Sequence, residues 1–319
     1  MTRQTLAVTL LLIILVLTMV AAVLMYELPF DTRLWIEIQN AGHTPIFGIV
    51  SLLVLGISSR LLGTVFSKRL VHYLVALVVT ALLGLFSEYA QIDGPRDADI
   101  MDFLRDIAGI VSFLGVSVCV DRKVNLRAGK LRGIILTVAI LSFIATMVPV
   151  AYWSTVYLGR NATFPVICDF DSYWGKRFVG TNNAALSIVR APRDITDDTT
   201  SVGQVTFGGD DYPGLEILEP YPDWRGYRQV SFEVLSPEDS SVHLSVRIED
   251  QSHNGEFEDR FNRTVLVKSG MNKISFGLAD IRSAPSTREI DLASMGAIHI
   301  FAARRDSGLT LYFDNIRLE

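Results

Sequence analysis

Residues Phe86–Gly115 read FSEYAQIDGPRDADIMDFLRDIAGIVSFLG, a run of polar and ionisable side chains set between two apolar stretches. Glu88, Gln91, Arg96, Asp99, Asp102, Arg105 and Asp106 fall within nineteen residues. A charged side chain at membrane depth costs about 2.5–3.5 kcal/mol on insertion scales, so this density calls for mutual pairing or for a function. The apolar flanks predict two helices, Leu70–Phe86 and Ile100–Val120, joined by a turn at Gly94-Pro95. Asp99, Asp102 and Asp106 recur at spacings of three and four and so share one helical face. They also lie in the first turns, where the positive end of the macrodipole favours carboxylates. Glu88 and Gln91 share a face at the end of the preceding helix, and Arg96 is placed to pair with one of the carboxylates.

Working outward, three more apolar stretches are long enough to cross a hydrocarbon core of about 30 Å: Leu6–Tyr26, Thr44–Val65 and Gly133–Trp153. The first has the basic start and small residues of a secretory signal, but its apolar run exceeds the usual 7–15-residue core, so it reads as an uncleaved helix. Arg3, Arg60, Lys68, Arg69, Arg122, Lys123, Arg127, Lys130 and Arg132 all fall on one side of the five spans. The positive-inside rule therefore predicts a cytoplasmic N-terminus and an extracytoplasmic C-terminal half.

Composition divides the chain in the same place. Mean hydropathy is +0.34, yet the apolar excess lies in residues 1–160, which carry net charge +3, whereas residues 161–319 carry −8. This predicts a membrane domain over 1–160 and an acidic soluble domain over 161–319. The acidic balance argues against nucleic acid as a partner. Cys119 and Cys168 fall on opposite sides of the predicted membrane, so no disulfide is expected between them.

After Asn161 the pattern changes to short β-branched and aromatic runs separated by turn signals. AALSIVR, VGQVTF, QVSFEVL, VHLSVRIED, FNRTVLVK, NKISFGL, AIHIFAA and LTLYFDNIRL each read as strands. Eight or more strands in about 150 residues predict an all-β jelly-roll sandwich. If the domain binds a sugar, it needs aromatic faces with planar polar groups beside them. The candidates are Trp174, Tyr221, Trp224, Tyr227, Arg247, Asp250, His253, Asn254, Asp259 and Arg260. Asp169, Asp171 and Asp314 would meet where the first and last strands pair, and their hard oxygens suit a structural calcium ion.

Two family resemblances carry these residues further. Glu88, Gln91, Pro95-Arg96, Asp102, Asp106, Gly109 and the earlier Gly42-His43 resemble the pattern of the VanZ-like family over about residues 30–120. Gly94 precedes the proline instead of following it, and Asp106 stands at the family's usual Asn. Gln39-Asn40 replaces the Asp-Lys that often precedes the histidine. The resemblance implies a bacterial cell-envelope protein, from a family named for an antibiotic-resistance protein, without supplying a reaction. The second half, about 164–319, resembles the galactose-binding-like jelly rolls of carbohydrate-binding modules in its opening Asp169-Phe170-Asp171 and its closing Tyr312–Leu318.

Together these readings predict a binding or accessory protein of the bacterial inner membrane, with the bilayer and a glycan or lipid-linked saccharide as partners. The alternative is a membrane enzyme acting on a lipid-linked saccharide at the outer leaflet. There His43, Glu88 and Asp102 would supply acid–base groups and Arg96 would hold phosphate. GxGxxG, GxSxG and HExxH are absent from the sequence.

Overall fold

The computed structural model describes residues 3–26, 28, 32–92, 99–124, 129–192, 200–209, 211–302 and 308–319. The expected Gly94-Pro95 turn and Arg96 lie outside them. The chain forms two compact units, Met1–Ser154 and Thr155–Glu319.

Five helices among the described residues are long and apolar enough to cross a membrane: α1 (Arg3–Met25), α2 (Arg33–Leu61), α3 (Arg69–Gln91), α4 (Ile100–Val120) and α5 (Gly129–Thr163). Two differ from the sequence reading in a way that matters. α2 starts eleven residues earlier than Thr44, because Arg33–Gly42 contains no breaker and Pro45 is absorbed inside the helix. A proline there removes one backbone hydrogen bond but is tolerated where neighbouring helices satisfy the freed groups. α3 runs on to Gln91, past the expected Phe86, and so carries Glu88 and Gln91 in its last turns as their shared face implied.

Phe47, Val50, Val54, Tyr73, Ala76, Ile110 and Leu114 form the core of this unit. α2 and α4 approach closely at Gly109, where an added Cβ would lie 2.9 Å from the carbonyl carbon of Thr44 and closer still to its oxygen. Around the rest of the unit Leu, Ile and Val side chains face outward, including Leu74, Leu82, Ile134, Leu141 and Ile144. That exposure suits lipid and would be costly in water.

The second unit is an all-β jelly-roll sandwich. Its strands are β1 (Val166–Cys168), β2 (Val179–Asn182), β3 (Ala184–Arg190), β4 (Ser201–Phe207), β5 (Gly214–Leu218), β6 (Gln229–Ser236), β7 (Val242–Asp250), β8 (Phe261–Val267), β9 (Gly270–Gly277), β10 (Met295–Ala302) and β11 (Thr310–Leu318). One sheet runs β3-β4-β11-β6-β9, with β1 also pairing β11; the other runs β2-β5-β10-β7-β8. All pairings are antiparallel. Strict alternation on β7, where every second residue from Val242 to Asp250 is buried, turns one face inward and the other to solvent. Phe170, Phe207, Leu215, Ile217, Trp224, Leu244, Ile248 and Phe313 fill the space between the sheets. The eight strands expected from sequence are present; β1, β2 and β5 were not legible, being only three to five residues long. Cys119 and Cys168 are buried free thiols.

The Gly109 contact gives a direct test. Gly109→Ala should destabilise the helical unit by about 1–3 kcal/mol through overpacking against backbone. Gly42→Ala, with no atom within 4 Å of its added Cβ, should be neutral. Thermal unfolding of the detergent-solubilised chain separates the two, and equal melting would refute the close packing.

Candidate functional site

The tertiary structure gathers most of the polar residues singled out on α2, α3 and α4 into one buried cluster. His43, Glu88, Gln91, Asp102 and Asp106 are all at most 8% exposed. His43 Nδ1 lies 2.9 Å from Asp106 Oδ1, and its Nε2 lies 3.5 Å from Asp102 Oδ2. Asp102 is also paired with Arg105, one turn along α4. Glu88 Oε2 accepts the Asp99 backbone N–H at 3.0 Å, while Asp99 caps α4 by accepting from the Met101 N–H. Thr44 donates to the Arg105 carbonyl at 3.2 Å, tying α2 to the same turn of α4. One His43 nitrogen, one Glu88 oxygen and one Asp102 oxygen fall within 4.8 Å of one another, the only such His/Cys/Asp/Glu group of three or more among the described residues.

In the sandwich the structure separates the sugar-binding candidates. Trp224 is fully buried, and its indole N–H donates to the Tyr221 carbonyl at 2.7 Å. It packs the core and offers no face to a ligand. Tyr227 packs against the same core, edge-on to Phe164. Asp250 and Asp259 are drawn to Arg288, a residue that sequence reasoning passed over: its guanidinium reaches Asp250 at 2.5 and 2.8 Å and Asp259 at 2.5 and 2.8 Å. The Arg288 hydrogen bonds hold the Asp259 carboxyl far below the usual carboxylate range. His253 joins the same network, with Nδ1 3.3 Å from Asp259 Oδ2. These three residues brace the loop after β7, so their position explains them as structural.

Arg247 and Arg260 fall elsewhere, in an open cleft of about 600 Å³ on the solvent face of the five-stranded sheet. Strand register builds its floor. Glu216, His299, Arg247 and Asn262 lie abreast on β5, β10, β7 and β8; Gly214, Phe301, Ser245 and Thr264 form the next row. Arg247 pairs with Glu249 at 2.5 Å and His299 with Glu216 at 3.3 Å. Burial works to raise the Glu249 carboxyl, but hydrogen bonds from His299 and Arg247 outweigh it and hold the group at about 2.

Two aromatic rings stand at the rim, Tyr212 at 68% and Phe257 at 67% exposure. Tyr212 packs edge-on against Phe301 and adopts φ +54°, a strained backbone held by the Asn182 amide donating to its carbonyl at 3.1 Å. The Arg260 guanidinium lies 5.4 Å from the Phe257 ring centre, and its Nε has no hydrogen-bond partner. Burial and the neighbouring Arg247 charge both work against an extra positive charge at Arg260. Tyr212 and Phe257 were missed from sequence because they lie in loops with no strand period, and β5 was too short to place them opposite one another.

The first and last strands do pair, with Cys168 opposite Ile316. Asp169 and Asp171 are engaged in loop hydrogen bonds, to the Ser172 and Ser201 N–H groups at 2.8 Å. Their carboxylates and that of Asp314 do not form a ligand group among the described residues, so the fit to a calcium ion is electrostatic rather than geometric. Burial pushes the Asp314 carboxyl up to about 7; the Asn315 N–H opposes this, while the charges of Asp171, Glu233 and Asp169 add to it.

No family model matches this chain, and no curated protein matches it. Among solved structures, an exo-β-agarase is 18% identical at a TM-score of 0.38 over 48% of this chain and 25% of its own. A family 11 carbohydrate-binding module from Clostridium thermocellum, in complex with a β-1,3-1,4-mixed-linked tetrasaccharide, is 20% identical at a TM-score of 0.37 over 47% of this chain and 94% of its own. The CBM22-1 xylan-binding domain of Paenibacillus barcinonensis Xyn10C is 12% identical at 0.34, over 47% and 91%. The chain therefore spans about a quarter of the agarase's length.

Asp314 makes the sandwich sensitive to pH. An unfolded aspartate titrates near 3.9, so between about pH 4 and pH 7 the folded chain holds a proton that the unfolded chain has released. Stability from this group is complete below about pH 4 and declines until about pH 7. Asp314→Asn should remove that decline and raise the melting temperature above pH 7. Melting curves of both proteins from pH 4 to 8 that differ by a constant offset would refute it.

Proposed function

We propose that this is an integral membrane protein whose β-sandwich binds an acidic glycan in the cleft of the five-stranded sheet. The observation that carries the reading is the cleft itself, in which exposed Tyr212 and Phe257 flank a polar floor. Aromatic faces beside planar hydrogen-bonding groups suit a pyranose ring, which has both apolar and hydroxylated surface. Arg247 is already paired with Glu249 and Glu216 with His299, but Arg260 and Arg263 line the cleft with no carboxylate ion pair among the described residues. Guanidinium forks match carboxylates bidentately, which favours a glycan carrying uronic acid groups.

In this reading the five apolar helices anchor the sandwich at a bilayer, and the distribution of Lys and Arg supports an extracytoplasmic position for it at a bacterial inner membrane. The motif around His43, Glu88 and Asp102 is the part that resembles the VanZ-like family, and a lipid-linked saccharide is a natural ligand for a chain with both parts. A binding role is preferred to an enzyme because the helical polar cluster is buried, whereas the sandwich cleft is open.

Glycan-array and calorimetric binding with the full chain test this reading. Uronate-containing oligosaccharides should bind, more weakly as salt rises. Tyr212→Ala and Arg260→Ala should each weaken binding at least tenfold with melting temperature unchanged. Trp224→Ala, by contrast, should cost about 3–5 kcal/mol of stability. Binding of neutral glycans alone would overturn the acidic ligand, and no binding at all would overturn the glycan reading.

A further inference from the structure

Within the helical unit, His43 presents an unusual arrangement of lone pairs. Its Nδ1 is 2.9 Å from Asp106 Oδ1, and a carboxylate can only accept, so the ring proton sits on Nδ1. In the neutral ring Nε2 then carries a lone pair, and it faces Asp102 Oδ2 at 3.5 Å without a hydrogen bond among the described residues. A charge-assisted hydrogen bond would be about 2.7–2.9 Å. Electron-rich atoms from His43, Glu88 and Asp102 thus converge within 4.8 Å of one another.

We propose that His43 Nε2, Glu88 and Asp102 form a binding site for a divalent transition-metal ion of the zinc class, oriented by Asp106. Three features fit it. Zinc bound tetrahedrally at about 2.0–2.2 Å holds its ligand atoms roughly 3.3–3.5 Å apart, the separation of Nε2 and Asp102 Oδ2. The Asp106–His43 hydrogen bond is the carboxylate–histidine support that fixes tautomer and ring orientation at metal centres. Independently of the three ligands, Gln91 lies one turn beyond Glu88 on the same face of α3, is 2% exposed, and has no hydrogen-bond partner at either amide atom among the described residues. A buried amide left so is costly, and a metal-bound water satisfies it. One imidazole with two carboxylates suits zinc, manganese or iron rather than copper(I), which prefers thiolates. Three protein ligands leave a coordination position for a water or a ligand oxygen.

The site is tested with the tag-free full chain in detergent, stripped with chelator and titrated with Co²⁺ and then Zn²⁺. One ion per chain should bind, Co²⁺ should give the d–d spectrum of a nitrogen- and oxygen-ligated ion, and Zn²⁺ should displace it. X-ray absorption of the zinc-loaded protein should show one imidazole, oxygen neighbours and no sulfur. His43→Ala and Glu88→Gln should abolish stoichiometric uptake. Asp106→Asn, which keeps the shape but weakens the support, should lower affinity 10- to 100-fold. Failure of the folded wild-type chain to take up either ion, a sulfur or multi-histidine shell, or uptake unchanged in folded variants would overturn the proposal.

Discussion

The close approach of α4 to the backbone of Thr44, permitted by the missing side chain of Gly109, is the contact on which the polar chemistry of the helical unit depends. It lets Thr44 reach the Arg105 carbonyl and sets the imidazole of the neighbouring His43 against Asp102 and Asp106. Without that approach three carboxyl groups would be buried among apolar helices with the histidine too far away to share them. In a medium that solvates charge poorly, such groups persist only by engaging one another or a bound ion.

The sandwich meets the same constraint differently. Two of its buried carboxylates, Asp250 and Asp259, share a single arginine fork from a distant loop, and most other polar groups are sorted to the outer faces by strand alternation. The inside is therefore almost wholly apolar, while the solvent face of one sheet is free to carry Arg247, Glu216 and His299 side by side. The helical unit buries its polar groups to hold them, whereas the β unit displays them.

Much of this was legible in the residues. Apolar runs of about twenty residues mark spans because a bilayer sets their length, and alternating β-branched runs mark strands because a sheet has two faces. His43, Glu88, Gln91, Asp102 and Asp106 could be selected as polar residues with no ordinary place in apolar helices. The sugar-binding candidates fared less well. Trp224 was attractive as an aromatic face beside planar polar groups, but aromatic rings serve cores as readily as ligands, and only packing distinguishes the two. Asp250 and Asp259 looked like ligand groups because Arg288, 38 and 29 residues further on, is not visible as their partner from local sequence.

The sequence by itself determined the two-part organisation, the helical spans and most of the strands, because each follows from local periodicity and from the solvent each segment must face. Tertiary structure alone decided which polar side chains meet. The convergence of His43 with Glu88 and Asp102 depends on the packing of three helices, and the cleft depends on strand register across β5, β10, β7 and β8. Both bring together residues separated by tens of positions, and the distance between such residues is set by packing and backbone pairing, which leave no periodic trace along the chain.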